Sequence, residues 1–558
     1  MSAPKLTKFT PFWPETCIFW GAGATAELGI PATNGMAEAV YKLSCKENDE
    51  PLQKRIEKAK FFYEIEKELE CFLTALGDNL EENDLYPSKE AIEAAKKILP
   101  DNFTDEEIIR KILKWKSHYD WNALRRLAIK APLENDNYYK YLTDLYNVID
   151  GNLLSNLGLQ MEKDVFLDTH RLRNARNLLV LLSSLTVVCA YHKTRLKNPE
   201  KFENYLEFTK TLSKLMQQEA MDLEGFKYND KRFYLMSFAV ISMNFDPLLR
   251  WFMFMANAEL NKNPPHLGKG NLPLMLYVDI SAPVAYRDSR KDIGYPLDEV
   301  AAFRINENED EGNLYRICKH FLVHGGTNLR ECENCGKMSI VWGNWREKTP
   351  KDLFFPPPFK INLFQHEPYT EEEEKAHNDG DYDAVQCYFC GNLTYTYNTP
   401  MIMQTSYKGK HTSFLEDIQR NAKVSISGAK HIILMGYQLP PDDVVWRSIL
   451  AAKRNNKGDV YCSVVVGNLG ENKWIEGKEL KNYVKDKKEN EKEEWADYGI
   501  NAIDAAIAVF GEKNVRAYTG GIPQVWLSGN SVDKDKVNDL LYPKKIFPNG
   551  VASSRLES

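Results

Sequence analysis

The sequence predicts an α/β protein built on a parallel β-sheet, with a large helical insertion and a small cysteine-rich insertion. Three observations predict it. Short apolar runs end in turn chemistry and alternate with helical stretches, the pattern of parallel strands with helical connections on the sheet faces. A charged, helix-patterned stretch from about Cys45 to Lys231 interrupts them. Two Cys-x-x-Cys pairs lie in a segment rich in Pro, Asn and acid between about Glu331 and Thr399. With 558 residues and 43% hydrophobic content, the chain can bury several times the core of a minimal domain, so two or three lobes are expected.

Met1 to Pro14 is a short polar and aromatic lead, without the charged, apolar and small-residue pattern of a secretory signal. Thr16-Cys-Ile-Phe-Trp20 is a strand that meets a glycine-rich turn, Gly21-Ala-Gly-Ala-Thr25, before a helical stretch through Ala37 to Leu43. In the charged stretch, Thr104-x-x-Glu107 forms a capping box before Ile108 and Ile109. The longest apolar run, Leu178 to Tyr191, contains two serines and falls short of the roughly 18 to 20 residues a bilayer span requires, so it reads as a buried helix and no membrane is expected. Strand signals return at Phe233 to Met243, ending in Asn244-Phe-Asp246 with a helix from Pro247. His431 to Met435 runs into Gly436-Tyr-Gln-Leu-Pro-Pro-Asp442, Val460 to Val466 runs into Gly467-Asn468, and Val515 to Tyr518 is one more strand. Ser553 to Ser558 reads as a disordered end. The resulting division is a core of 1–44, 232–330 and 400–530, a helical insertion of 45–231, a cysteine module of 331–399 and a tail of 531–558.

The 72 basic and 79 acidic residues give a net charge of −7, which offers no general electrostatic attraction to a phosphate backbone, and no direct nucleic-acid partner is expected. Runs such as Glu371 to Glu374 and Lys485 to Lys488 read as solvated faces. Ten cysteines in a long chain without a leader argue for a cytoplasmic protein without a disulfide scaffold. Cys332, Cys335, Cys387 and Cys390 make two knuckles, each followed by a glycine, Gly336 and Gly391; four thiolates in that spacing close a tetrahedral zinc site. A closed site leaves no open coordination position, so Zn2+ there folds the insertion and catalyses nothing. Cys17, Cys45, Cys71, Cys189, Cys318 and Cys462 lack such pairing and read as core or surface thiols.

Gly21-x-Gly-x-x-Ala26, after a strand and before a helix, is a turn whose backbone N–H groups can approach a pyrophosphate. It is equally the form of a plain tight connection. The ribose-binding acid expected about 20 residues on is missing, which argues against an ordinary dehydrogenase.

The longer string Gly21-Ala-Gly-Ala-Thr-Ala-Glu-Leu-Gly-Ile-Pro31 resembles the sirtuin signature. Four further blocks follow in that family's order: Asn244-Phe-Asp246, His324-Gly325, the two cysteine knuckles, and Gly436 to Asp442. The resemblance covers roughly 17 to 44 and 233 to 468. It implies a Rossmann-like core and NAD+ as substrate. It also implies that Asn244 holds the ribose or orders the attacking water, that Asp246 contacts the nicotinamide end, and that His324 acts as general base. Cofactor contacts would come from Gly21, Ala22, Gly23, Thr25, Gly29, Ile30, Pro31 and Asn34, and from Gly436, Tyr437, Gly467 and Asn468. Asp442 and Asp443 read alternatively as caps of the next helix. The residue types suit the chemistry: nicotinamide departs through a positively charged, oxocarbenium-like state that needs polar groups at the ribose and a poised base.

Protein deacetylases of the family continue Gly-Ile-Pro with an aromatic residue and an arginine that cover the nicotinamide. Here the continuation is Ala32-Thr33-Asn34-Gly35, which leaves room for water and favours hydrolysis to nicotinamide and ADP-ribose. In this the chain resembles the sirtuin-like NAD hydrolases of bacterial anti-phage defence. Those proteins deplete NAD and assemble as homo-oligomers or with a companion of ATPase or Argonaute type. The helical insertion is either such an assembly surface or a scaffold over the sheet. The rival readings are a protein deacylase or ADP-ribosyl transferase using the same site, and a non-catalytic NAD or ADP-ribose sensor.

Overall fold

A computed structural model describes residues 14–31, 33–45, 50–78, 86–130, 138–223, 226–281, 284–287, 293–294, 297, 299–308, 310, 312–341, 353–363, 368–401, 413–441, 443–457, 460–467, 469–490 and 494–557. Among these, nine strands form the main sheet: β1 (Thr16–Trp20), β2 (Phe238–Ser242), β3 (His266–Leu267), β4 (Leu272–Asp279), β5 (Leu314–Leu322), β6 (His431–Met435), β7 (Tyr461–Val465), β8 (Trp474–Glu476) and β9 (Val515–Tyr518). Their order is β8-β9-β7-β6-β1-β2-β5-β4-β3, parallel except for the antiparallel edge strands β8 and β3.

The central strands are buried on both faces, which is why they read as unbroken apolar runs. Cys17 and Phe19 of β1 join Ala239, Ile432, Leu434 and Val464 in one core. Ile18 and Trp20 point to the other face and join Val240, Ile433 and Met435. That second core continues into the helices α1 (Thr33–Ser44), α2 (Thr169–Lys197) and α3 (Pro199–Asp222), so the helical insertion is packed directly on the sheet. Two further helices follow strand ends, α4 (Leu248–Leu260) after β2 and α5 (Val444–Lys457) after β6. A separate four-stranded sheet contains Leu329–Glu331 and Met338–Val341, beside the first cysteine knuckle.

Several expectations need correction. Lys231–Tyr234 is a helical turn, not strand, because the Asp230 side chain accepts from the Arg232 amide and caps it. The stretch expected to be almost wholly helical contains a hairpin of Leu159–Glu162 and Val165–Leu167. In the acidic run, Glu373 is buried, and its carboxylate accepts from the amides of Tyr369 and Gln386. The chain end is ordered: Val551–Glu557 forms helix α6, and Arg555, 2% exposed, donates to the carbonyls of Arg232, Leu235 and Met236 at 2.6, 2.7 and 3.0 Å. Those bonds are the reason the tail does not fray; Ser558 lies outside the described residues. Finally, α2 is by length and composition the one described helix able to cross a membrane, although 78% of its apolar window is buried inside the fold.

Candidate functional site

Strand register builds the site. Trp20, the last residue of β1, stands level with Ser242 of β2 and Met435 of β6; Ser242 is level with Leu322 of β5, and Met435 with Val465 of β7. The turns that leave these five strands therefore open on one edge. In this way the edge gathers Gly21, Asn244, His324, Gly436 and Gly467, residues scattered along the chain.

At the centre, Asn244 Nδ2 donates to Gly21 O at 3.0 Å and to Thr25 Oγ1 at 3.3 Å. Thr25 Oγ1 donates in turn to Asp246 Oδ2 at 3.1 Å, and Asp246 Oδ1 accepts from the Leu248 amide at 3.1 Å, capping α4. Asp246 is thus both a helix cap and a member of the cluster. Burial pushes its carboxyl up from the ordinary range, opposed by the Leu248 amide, Thr25, Asn244 and the charge of Arg250. Asn244 is 4% exposed, and its Oδ1 has no hydrogen-bond partner among the described residues. An unsatisfied buried acceptor is costly, and a ligand donor would relieve it.

His324 is fully buried, with Nδ1 3.4 Å from Met243 O and Nε2 3.8 Å from Asp443 Oδ1. Asp443, also fully buried, accepts the Tyr437 hydroxyl on Oδ2 at 2.6 Å. Asp443 was not among the sequence-derived site residues. The signal available was a tyrosine and a carboxylate in one strand-end turn, but the partner that matters, His324, is distant in sequence. Asp442 lies outside the described residues. Below the loop, Thr327 donates through its amide and Oγ1 to Phe245 O at 3.0 and 3.1 Å, and Arg250 Nη2 donates to Asn328 Oδ1 at 2.7 Å. Burial lowers Arg250 to about 9 and holds His320 well below the usual histidine range, with the charge of Arg250 adding to the effect.

The glycines have a steric reason. A methyl at Gly21 would lie 2.5 Å from Gly436 O, and one at Gly436, where φ is +59°, would lie 2.0 Å from the Ala24 amide nitrogen. The Gly21 amide donates to Met435 O at 2.8 Å and the Gly23 amide to Gly436 O at 3.0 Å, so both are spent joining the two turns. Ala22 is half-buried in the same turn. Gly29, with φ +76°, ends the segment against Thr194 of α2, with Ile30 and Pro31 buried beyond it; these pack below the insertion. Tyr437 stacks on Phe19 with ring centroids 5.8 Å apart. Gly467 is exposed with open space around it, Asn468 lies outside the described residues, and so does the side chain of Asn34.

The cysteine module repeats one turn twice. The Gly336 amide donates to Cys332 O and the Gly391 amide to Cys387 O, both at 2.8 Å, with φ of +64° and +80° at the two glycines. The four sulfurs lie within 4.8 Å of one another, with Cys332 to Cys390 at 3.5 Å and Cys335 to Cys387 at 3.7 Å. Tetrahedral Zn–S bonds of about 2.3 Å put sulfurs about 3.8 Å apart, so the four could hold a structural metal such as zinc. The other six cysteines form no disulfide, Cys17, Cys189, Cys318 and Cys462 being buried and Cys45 and Cys71 partly so.

No protein-family model matches this chain, and a search of curated proteins finds no match.

Proposed function

We propose that the chain is a sirtuin-like NAD+ hydrolase on a Rossmann-type sheet, releasing nicotinamide and ADP-ribose. The observation that carries this reading is the hydrogen-bonded union of the Gly21 turn, Thr25, Asn244 and Asp246, with His324 on the same sheet edge and Asn244 Oδ1 left for a ligand. The strand order supports it. From β1 the chain lays β2 beside it, goes to the far edge for β3 and β4, fills the gap with β5, and then crosses to start β6 on the other side of β1. Turns that part at such a reversal are where open α/β sheets bind nucleotides.

In this reading Asn244 offers its amide oxygen to a ribose hydroxyl or the attacking water, and Asp246, fixed by Thr25, faces the nicotinamide end. His324 takes the proton, and the nearby Asp443 carboxylate favours the imidazolium that results. The four cysteines would hold Zn2+ in a closed, structural site. We place the protein with the NAD-depleting effectors of anti-phage defence, acting in the cytoplasm as a homo-oligomer or with a companion protein.

The test is nicotinamide release from NAD+ by the purified full chain, with and without an acyl-lysine peptide, beside His324→Ala. Release without peptide, lost in the variant, is the expected result. Release only with peptide selects a deacylase, and NAD+ binding without release in either condition overturns hydrolysis.

A further inference from the structure

The segment leaving the cysteine module crosses the His324 loop as a strap. Gly325 pairs with Met401 in an antiparallel bridge, and the Gly326 amide donates to Pro400 O at 3.3 Å. Gly325 has φ +76°, and a methyl there would lie 1.8 Å from Pro400 O, so only glycine fits beneath the strap. The far side of the strap is held by the helical insertion. Arg176 of α2 donates from Nη2 to Met401 O at 3.1 Å and from Nε to Asp150 Oδ1 at 2.7 Å. Met401 is buried, and its sulfur lies 3.9 Å from Ser184 Oγ, about two turns along α2 from Arg176.

We propose that Arg176 is a positioning residue: from the helical insertion it fixes the strap Thr399–Met401, and through the strap the Gly325–Gly326 backbone next to His324. A planar guanidinium suits the task because one edge grips the Asp150 carboxylate while another nitrogen reaches the strap carbonyl. A lysine ammonium lacks that fixed fork. The insertion thereby has a mechanical hold on the catalytic loop, and any partner that shifts α2 shifts His324. The kinetic consequence rests on His324 acting as the base; the mechanical coupling does not.

The experiment is amide hydrogen exchange on the ligand-free full chain, comparing wild type with Arg176→Met and Arg176→Lys, alongside steady-state nicotinamide release. Exchange at residues 324–329 is expected to quicken about tenfold in Arg176→Met and less in Arg176→Lys, with β6 and β7 unchanged. In the same variants kcat is expected to fall about tenfold with KM within about twofold, the signature of a misplaced group and not of lost substrate binding. Unchanged exchange at 324–329 in both variants overturns the proposal, and so does a rise in kcat, which would make the strap a lid. If wild type releases no nicotinamide, the hydrolase reading falls while the exchange result still decides the coupling.

Discussion

The two edges of the main sheet are built from similar residues and treat them oppositely. At the amino edge, Thr16 Oγ1 donates to Leu541 O at 2.8 Å. His431 has Nδ1 at 3.0 Å from Leu541 O and Nε2 at 2.8 Å from Ser463 Oγ, and Ser463 also accepts from Arg516 Nε at 2.8 Å. At the carboxyl edge, Asn244 Oδ1 lacks a partner among the described residues, while His324 sits 3.4 Å from Met243 O and 3.8 Å from Asp443 Oδ1. The amino edge spends its buried polar groups on close bonds, and the carboxyl edge leaves the Asn244 amide oxygen unmet. Satisfied polar groups stabilise; an acceptor left short of a partner, as Asn244 Oδ1 is, is kept for something else.

The largest effects that would break this contrast lie at the carboxyl edge. Asn244→Ala and His324→Ala should each lower nicotinamide release by about 100-fold or more while the thermal midpoint moves little. A residual rate above a tenth of wild type would erase the functional half of the contrast. At the amino edge the expected pattern is reversed. Arg555→Ala strands three buried carbonyls, so denaturant titration should show a loss of about 2–4 kcal/mol with the rate per folded molecule unchanged.

A smaller effect concerns pH. Burial, with the charge of Arg516 adding, holds His431 down at about 3, below the ~6.5 of an unfolded chain. Between those values the unfolded chain alone binds the proton. The contribution of His431 is therefore complete above about pH 6.5 and drains as pH falls toward 3. The thermal midpoint should decline from pH 7.5 to 5, and His431→Gln should flatten that decline; equal slopes would show that other groups set it. The smallest effect sharpens the link between the insertion and the glycine turn. The Tyr205 hydroxyl of α3 donates to Ala24 O at 2.6 Å, and Tyr205→Phe should cost about 1 kcal/mol and raise KM for NAD+ without changing kcat.

What the sequence disclosed follows the range of the interactions involved. β1 and β6 were legible because both their faces are largely apolar, β9 as a short β-patterned run despite Arg516, and the cysteine knuckles because each is a local turn closed by its own glycine. β4 and β5 were not read. β4 carries Pro273, and β5 carries Arg316, Lys319 and His320 inside the strand, tolerated there because Glu219 and Asp279 arrive from other elements to pair with Arg316 and Lys319. Asp443 read only as a helix cap for the same reason, since its approach to His324 is set by other elements. The disordered reading of the tail failed because nothing local to Arg555 announces the carbonyls it grips.

The bond from Thr16 to Leu541 joins residues 525 positions apart, and it bears on how the protein is made. β1 leaves the ribosome well before its neighbours β2 and β6, and the groups that seal its amino edge come later still. Such remote pairing is slow and leaves strand edges open meanwhile. A nascent chain therefore carries an unsealed central strand while the hundreds of residues between are made, and a chain lacking Leu541 and Arg555 would leave the amino edge without these partners.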